Sequence, residues 1–408
     1  MSAPVMVRLR DLGNWAGGNT PSKANPAYWT DGTVPWVSPK DMKVHEMISS
    51  EDRITELALA DGRVSLVPEG SVLFVTRSGI LSHTFPVAIT KLPVTINQDL
   101  KALTPKEGVS PKYVAYAIRG ASQRILRECA KNGTTVASIE TSRLLDFEIS
   151  IGGLSEQLEI VAEVEKQFSR LDEAVANLQR VKANLKRYKA SVLNDAVEGR
   201  LVEGDYQYEL VKLGSVANLI DPQPSHRTPP THADGVPYIG IGDVLENGKV
   251  DLQNSRKVSL TVLAEHRARY TLRMGDFIFG KIGTLGKPTL LMPPYDYTLS
   301  ANVVLVQADG VRLLPEYALI FMESPKLVNI VNRDAKATTQ AAYGIKRMRD
   351  LNIELPNIDL QRRIIAEVDR RLSLIRGVVA EVDANLQRAQ TLRISILATA
   401  FQSGAGGV

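Results

Sequence analysis

A repeated pattern of apolar residues constrains this chain more than any other feature. Two segments, beginning near Leu154 and Leu360, place apolar residues at alternating spacings of three and four without an intervening proline. This spacing is typical of a coiled-coil helix, which buries a narrow apolar stripe against another helix. Each segment of about 45 residues corresponds to a helix about 65 Å long. The sequence therefore predicts two long helices that each need a helical partner.

The two predicted helices are the simplest partners for each other. They are similar in length and in stripe, which favours an antiparallel pair within one chain. A helix that dimerises with a second chain is the alternative. The residues expected at the seam of the helix pair are Val164, Phe168, Leu171, Val175, Leu178, Leu185, Val368, Leu372, Ile375, Val379, Val382 and Leu386.

The rest of the chain repeats along with the helices. Gln157 aligns with Gln361, an offset of about 204 residues. Before the helices, "TVPWVSPKDM" matches "GVPYIGIGDV", "PEGSVLFVTRSG" matches "RMGDFIFGKIG", and "KNGTTVASIETSRLLDFEIS" matches "AKATTQAAYGIKRMRDLNIE". The matches keep their order, which favours an internal duplication over a chance likeness of two ordinary α/β domains.

The duplication predicts the domain organisation. Each globular part mixes short strands such as "SVLFVT" and "DFIFGKI" with helices such as "VAYAIRGASQRILREC" and "YALIFMESPKLVNIVN", without regular βαβ alternation. We expect an α+β fold: two similar mixed α/β domains separated by two long antiparallel coiled-coil helices, with an internal pseudo-twofold repeat. The predicted bounds are 1–153 for the first domain, 154–203 for the central helical spacer, 204–356 for the second domain and 357–403 for the C-terminal helical spacer.

Composition narrows the class of protein. The 408 residues are 44% apolar, enough for sizeable cores, and the single cysteine, Cys129, excludes an internal disulfide and fits a reducing compartment. No stretch approaches about 18 uninterrupted apolar residues, so we predict no membrane span and a cytoplasmic location. The net charge of +4 permits an anionic partner without requiring one.

No motif predicts catalysis. "NPAYW" at Asn25–Trp29 resembles the Asn-Pro-Pro-Tyr signature of adenine methyltransferases, but it lacks the second proline, and an ordinary loop is favoured. "GKIGTLGK" at Gly280–Lys287 resembles a phosphate-binding loop, but Lys281 replaces its first glycine and Pro288 its Ser or Thr, which favours a strand–turn–strand. The five histidines have no metal-ligand spacing. We therefore predict no metal site and no cofactor.

Basic residues beside small polar residues recur at equivalent places in both domains. Arg and Lys bind phosphates and guanine edges, Gln pairs with adenine, and Thr reaches either a phosphate or a base. A solvated surface charge is the alternative for each residue taken singly. The candidate DNA-binding residues are Arg77, Ser78, Arg124, Arg127, Lys131, Thr134, Thr135, Lys281, Lys287, Arg333, Lys336, Thr338, Thr339 and Gln340.

These motifs, in this order, resemble one family. "GGNTPSKANPAYW", the pair "VPWVSPKDM" and "VPYIGIGDV", the pair "NGTTVASI" and "KATTQAAY", and the helix beginnings "LSEQLEIVAEV" and "IDLQRRIIAEV" resemble the specificity (S) subunit of type I restriction–modification systems. The second domain departs from the family with "DPQPSHRTPP" in place of Gly-x-Thr-Pro, and Val136 replaces an expected Gln.

The resemblance implies a DNA reader that is not itself an enzyme. Each domain, as a target recognition domain, would bind one half of a bipartite double-stranded DNA target, and the helices would set the gap. The helices would also dock two methyltransferase (modification) subunits, which carry the S-adenosylmethionine chemistry, and restriction subunits would join that core. Two alternatives are a coiled-coil scaffold that organises proteins without touching DNA, and a methyltransferase that acts alone.

Overall fold

The computed structural model describes residues 5–131, 133, 135–204, 207–245, 248–335 and 342–402. The chain divides into two compact units. Unit 1 comprises residues 1–178 and 383–408, and unit 2 comprises residues 179–382. Each long helix therefore begins in one unit and ends in the other.

Unit 1 contains ten strands and four short helices before the first long helix within its described residues. The strands are β1 (Val5–Arg8), β2 (Gly13–Gly17), β3 (Val34–Val37), β4 (Glu46–Met47), β5 (Asp52–Ile54), β6 (Val72–Val75), β7 (Val87–Thr90), β8 (Thr95–Ile96), β9 (Leu100–Pro105) and β10 (Glu148–Ile151). The helices are α1 (Glu56–Ala60), α2 (Pro111–Gly120), α3 (Ser122–Glu128), α4 (Thr141–Asp146) and the long α5 (Leu154–Val197).

The strands of unit 1 form three small sheets. Their orders are β2-β9-β6-β7-β4, β5-β3-β8 and β1-β10. The central strand β6, "VLFV", is buried at all four positions, because α2 covers one face of the largest sheet. Ser110 caps α2 by accepting from the Tyr113 N–H, and Pro111 occupies its first turn. These contacts pack α2 against the β6–β7 hairpin of the largest sheet.

Unit 2 repeats this set of elements. They are β11 (Tyr208–Lys212), β12 (Ala217–Ile220), β13 (Val236–Ile239), β14 (Lys257–Val258), α6 (Leu260–Arg267), β15 (Phe277–Gly280), β16 (Gly286–Leu290), β17 (Thr298–Leu299), β18 (Val303–Ala308), α7 (Pro315–Glu323), α8 (Pro325–Ala335), α9 (Ile345–Arg349), β19 (Asn352–Pro356) and the long α10 (Ile358–Gln402). Its sheet orders are β12-β18-β15-β16, β14-β13-β17 and β11-β19. Strand for strand this is the order of unit 1 without a partner for β4, so the predicted α+β fold with an internal repeat is confirmed.

Two predicted helices are each split in two. The segment read as one helix from Val114 is α2 followed by α3, and the segment from Tyr317 is α7 followed by α8. In unit 2 the break falls at Ser324, which precedes Pro325, and a residue before proline is sterically disfavoured in helical conformation.

The two long helices have 44 and 45 residues. All twelve predicted seam residues are buried or half-buried, while most residues between them are exposed. None of the described helices is long and apolar enough to cross a membrane.

The long helices pair antiparallel within each unit. In unit 1 the beginning of α5 meets the end of α10: Arg393 forms an ion pair with Asp172, and its guanidinium lies 4.8 Å from the centre of the Phe168 ring. In unit 2 the end of α5 meets the beginning of α10, where Val192 and Val368 share one apolar core. The prediction of a pair within the chain is confirmed.

A buried glutamine ties each long helix to the sheets of its unit. The Oε1 of Gln157 accepts from the Ser110 N–H at 2.9 Å, and its Nε2 donates to the carbonyls of Gly108 and Gly152 at 3.0 and 2.9 Å. Gln157 is 1% exposed. All hydrogen-bonding groups of the amide are engaged, two of them with the loop before α2, so the helix direction is fixed by the loop.

Gln361 makes the same three bonds in unit 2. Its Oε1 accepts from the Leu314 N–H at 2.8 Å, and its Nε2 donates to the carbonyls of Arg312 and Pro356 at 2.7 and 2.8 Å. Gln361 is fully buried. The duplication therefore preserves the joint between the globular part and the helix down to single atoms.

Candidate nucleic-acid interface

The turn after β6 and the α3–α4 loop form one surface in unit 1. Arg77 bridges to Ser138, and the Ser78 N–H donates to the Ala137 carbonyl at 3.0 Å. The α3–α4 loop closes on itself through a bridge between Ala130 and Ile139. We call the surface made by Arg77, Ser78 and the described residues of 130–139 the loop face of unit 1.

Unit 2 has an equivalent loop face, made by residues 281–283 and the described residues 342–343. Ile282 bridges to Ala342, and the Tyr343 N–H donates to the Lys281 carbonyl at 2.8 Å. In unit 1 the Ile139 N–H donates to the Thr76 carbonyl at 2.8 Å in the same way. This register makes Lys281 the equivalent of Thr76. Sequence comparison grouped Lys281 with Arg77, but Ile282 occupies the Arg77 position.

The candidate residues of the unit 1 loop face are accessible. Arg77, Lys131 and Thr135 are exposed, whereas Ser78 is half-buried because its hydroxyl accepts from the Ile80 N–H. Thr134, Lys336, Thr338, Thr339 and Gln340 lie outside the described residues. The loop face of unit 1 therefore joins the turn that carries Arg77 to the loop that carries Thr135 through backbone hydrogen bonds.

The arginines of α3 and α8 are engaged with the protein. The Arg124 guanidinium lies 4.2 Å from the centre of the Phe147 ring and donates to the Glu148 carbonyl at 2.8 Å. Arg127 and Arg333 form ion pairs with the adjacent Glu128 and Asp334, both at 3.3 Å. Arg127 and Arg333 are highly exposed, so a phosphate can compete for them, whereas Arg124 anchors α3 to β10.

Lys281 does not lie on the open surface. Its side chain is 5% exposed, and its Nζ lies 2.8 Å from Oδ2 of Asp221. A buried ammonium is expected to have such a partner, because an unpaired charge is costly away from water. Lys287 is exposed in β16 with a positive φ of 52°. The predicted strand–turn–strand is present as the β15–β16 hairpin.

A polar cleft that sequence reasoning missed adjoins the loop face of unit 2. It has a volume of about 340 Å³, and its lining includes Tyr238, Arg256, Ile282 and Asn302. The carbonyl of Asn302 accepts from the N–H groups of Lys281 and Ile282, so cleft and loop face share residues. The only sequence signal for this cleft was the repeated motif "VPYIGIGDV", which does not indicate which of its residues face solvent.

A second polar cleft, of about 380 Å³, lies in unit 1. Asn19, Asn25, Tyr28 and Arg63 contribute to its lining, so it is built largely by the motif "GGNTPSKANPAYW". The side chain of Asn25 accepts from the Ala27 N–H and caps a short 3₁₀ helix, and the Tyr28 hydroxyl donates to Asp61 at 2.8 Å. The residues that resemble a methyltransferase signature are thus engaged in local structure.

The site offers no metal chemistry among the residues the structure describes. They contain no group of three or more His, Cys, Asp or Glu side chains that could hold a metal ion. Burial raises the pKa of the Cys129 thiol to about 11, so it is protonated at neutral pH. The loop face of unit 1 and the two polar clefts present cations, hydroxyls and amides suited to phosphates and base edges.

Comparison with known proteins relates the first part of the chain to one family. The profile of the family described as "Type I restriction modification DNA specificity domain" matches residues 2–187. The EcoR124I/EcoR124II specificity subunit of Escherichia coli is 41% identical over 167 residues, which are 41% of each chain. The MjaIX specificity subunit of Methanocaldococcus jannaschii is 31% identical over 42% of this chain and 39% of its own. The matches thus span about two fifths of the length of these two relatives.

Similarity to solved structures extends over the whole fold. A chain from a study of complex assembly and conformational transition of the type I R-M system superposes with a TM-score of 0.68, covering 98% of this chain and 97% of that one at 17% identity. The HsdS subunit from Thermoanaerobacter tengcongensis gives 0.56 with the same coverage and identity. Residues 2–187 are thus similar in sequence to type I specificity subunits, and the whole chain shares the fold of these two solved structures.

Proposed function

We propose that this protein is the DNA sequence-recognition subunit of a type I restriction–modification complex. Each globular domain, residues 1–153 and 204–356, reads one half of a bipartite double-stranded target. The observation that carries the proposal is the duplicated loop face, in which a hairpin turn and a distant loop are joined by the same backbone bonds in both units. A reader of a split target needs two such surfaces on one chain.

The proposed chemistry of reading uses the loop faces and the polar clefts beside them. Arg77 is exposed and sits on a turn whose backbone is fixed, so its guanidinium reaches a phosphate or a guanine edge with little loss of order. The DNA-binding roles of the other candidates, Lys131, Thr134, Thr135, Lys336, Thr338, Thr339 and Gln340, stay predictions.

The long helices have two roles in this proposal. Residues 154–203 and 357–403 act as spacers that set the gap between the half-sites. A helix of 44 residues is about 66 Å long, whereas one turn of DNA spans about 34 Å. The helices also bind two modification subunits, and restriction subunits then join this complex. Adenine methylation and DNA cleavage belong to those partners, so this subunit itself is not catalytic and works in the cytoplasm, where its DNA is.

Methylome sequencing tests the proposal. Host DNA is expected to carry a bipartite methyladenine motif that disappears on deleting this gene and returns with the wild-type gene. Arg77→Ala is expected to weaken binding of the assembled complex to that motif about tenfold or more, whereas Lys106→Ala, an exposed cation after β9, serves as the matched control. Retention of the motif in the deletion strain contradicts the proposal.

The scaffold alternative makes a different prediction. A coiled-coil protein that only organises partners gives no DNA binding of its own to the complex. DNA binding is therefore compared between the complex and its partners without this subunit. If affinity and salt dependence are the same in both, the scaffold alternative is supported and the proposal of a DNA reader is contradicted.

A further inference from the structure

A half-open apolar cavity lies where the long helices of unit 1 meet the sheets. Its volume is about 500 Å³, and Ile80, Phe85, Phe168, Ile394 and Leu397 contribute to the lining. At its rim Ile394 is 63% exposed and Val44 is 45% exposed. We call it the junction cavity. Exposed apolar residues around a concave surface mark a place where a protein binds another molecule.

Two arginines also line this cavity. Arg393 is neutralised by its ion pair with Asp172. Arg119 donates to the carbonyls of Val87 and His45 at 2.8 and 3.3 Å, and its buried Nε has no hydrogen-bond partner in the described structure. No carboxylate among the described residues forms an ion pair with Arg119. Arg119 is half-buried, and its guanidinium also lies 5.5 Å from the centre of the Tyr116 ring. Its partners are thus carbonyls and an aromatic ring, which leaves its charge available to an external anion.

The positive potential of the junction cavity also affects His45. Partial burial, together with the charges of Arg119 and Arg393, lowers the pKa of this histidine to about 4, so it is neutral at physiological pH. Burial lowers the pKa of Arg119 to about 10, which still leaves its guanidinium charged. The cavity lining therefore carries an excess of positive charge beside its apolar walls, from Arg119 and from the exposed Lys43.

The equivalent place in unit 2 is balanced internally. The repeat offset puts Glu323 at the position of Arg119, and Lys189 at the position of Arg393. The Nζ of Lys189 lies 2.7 Å from Oε1 of Glu323. The duplication thus pairs a cation with an anion in unit 2 but brings two arginines together in unit 1. This asymmetry is the second observation that points to a missing anion in unit 1.

We propose that the junction cavity binds a segment of a partner protein that buries an apolar side chain and places a carboxylate on Arg119. The partner is a modification subunit, and to that extent the inference rests on the proposed function. A DNA phosphate suits the cavity less well, since it leaves the apolar rim at Val44 and Ile394 uncovered. Docking at unit 1 then depends on an acidic residue of the partner, and docking at unit 2 does not.

The direct test is the charge change Arg119→Glu in the full-length chain. The variant places a carboxylate where unit 2 has one, but it loses the hydrogen bonds of Arg119 to the carbonyls of Val87 and His45, so a small loss of melting temperature is expected. Binding is therefore measured at a temperature at which circular dichroism shows the variant to be folded. Its affinity for the purified modification subunit is expected to fall about 30-fold, as for truncation of one partner of a buried charge pair. Arg143→Glu, on the exposed face of α4, is the matched control.

A second readout identifies the occupant. A photo-reactive benzophenone amino acid at Ile394 is expected to crosslink to a modification-subunit peptide that contains Asp or Glu beside an apolar residue. Crosslinking to DNA, or wild-type affinity in Arg119→Glu, overturns the cavity proposal alone. Failure of the wild-type chain to bind the modification subunit, or of their complex to bind the bipartite motif, overturns the proposed function instead.

Discussion

Units 1 and 2 are two versions of one structure that agree at one joint and differ at another. Gln157 and Gln361 make the same three hydrogen bonds, each between the start of a long helix and the loop before the helix that covers its sheet. At a second place, between α2 and α10, Arg119 and Arg393 of unit 1 occupy the positions that Glu323 and Lys189 fill in unit 2.

This comparison separates two kinds of constraint. The joint that fixes the direction of a helix against its sheets is kept in both copies, because a single unpaired buried amide there is costly. The charged side chains at the second place differ between the two units. This difference indicates that their contact at the surface either tolerates substitution or serves a partner protein. The predictions below change one copy and compare it with the other.

The largest effect is expected at the glutamines. Gln157→Leu and Gln361→Leu each leave buried backbone groups without partners, and each is expected to lower the free energy of unfolding by about 3 kcal/mol. Denaturant unfolding followed by circular dichroism measures the loss, with the exposed Gln179→Leu of α5 as control. A loss below about 1 kcal/mol in one unit only would break the equivalence of the joints.

The next effect is expected at Lys281 and its counterpart Thr76. Lys281→Met leaves the carboxylate of Asp221 without its cation at a site where Asp221 is only 23% exposed, and is expected to cost about 2 kcal/mol. Thr76→Ala removes one hydrogen bond, to the Asp99 carbonyl, and is expected to cost about 1 kcal/mol. Thermal unfolding compares the two. Adding Asp221→Asn should recover part of the first loss, and an additive second loss contradicts the ion pair.

A pH effect is expected at Asp276 of unit 2, which has no acidic counterpart in unit 1. Burial raises the pKa of Asp276, although Gln307 and Arg273 oppose the shift, and Ser71 takes its place in unit 1. Because the pKa of Asp276 is higher in the folded than in the unfolded chain, folding favours the protonated carboxyl. The stability that this protonation contributes is fully present below the ordinary pKa of 3.8 and is lost as the pH rises through the folded pKa. Asp276→Asn should therefore stabilise the protein more at pH 7 than at acid pH. An equal effect at both contradicts the burial of a charge.

The smallest effect is expected from making unit 2 resemble unit 1. Glu323→Arg sets a second cation against Lys189, and because both side chains are about 40% exposed the cost is about 0.5 kcal/mol. The double variant with Lys189→Glu restores the pair. If the single variant loses more than about 2 kcal/mol of unfolding free energy, the Lys189–Glu323 pair is needed for stability. The absence of such a pair at Arg119 would then not indicate a partner-binding site.

The features that could be predicted from the sequence are those that depend on local periodicity and on the order of motifs along the chain. The first long helix was expected from Leu154 to near Glu198 and runs to Val197, because apolar spacing and the absence of proline define a helix locally. The duplicated strands followed from matched motifs in a fixed order. Such signals need no knowledge of distant contacts.

The candidate site was less accessible to sequence reasoning because contacts distant in sequence decide it. Arg124 is a residue type that often binds phosphate, yet its guanidinium contacts the Phe147 ring and the Glu148 carbonyl. Lys281 looks like a surface cation, yet the β15–β18 register turns it towards Asp221. The roles of Tyr238 and Arg256 depend on a cleft that no single motif describes.

The most direct test of the account is an exchange of residues 1–153 for the corresponding region of a type I specificity subunit with a known bipartite target. Methylome sequencing of the host then reads both halves of the methylated motif. Independent recognition by two domains predicts that one half of the motif changes to that of the donor while the other half is kept. A change in both halves, or in neither, would contradict it.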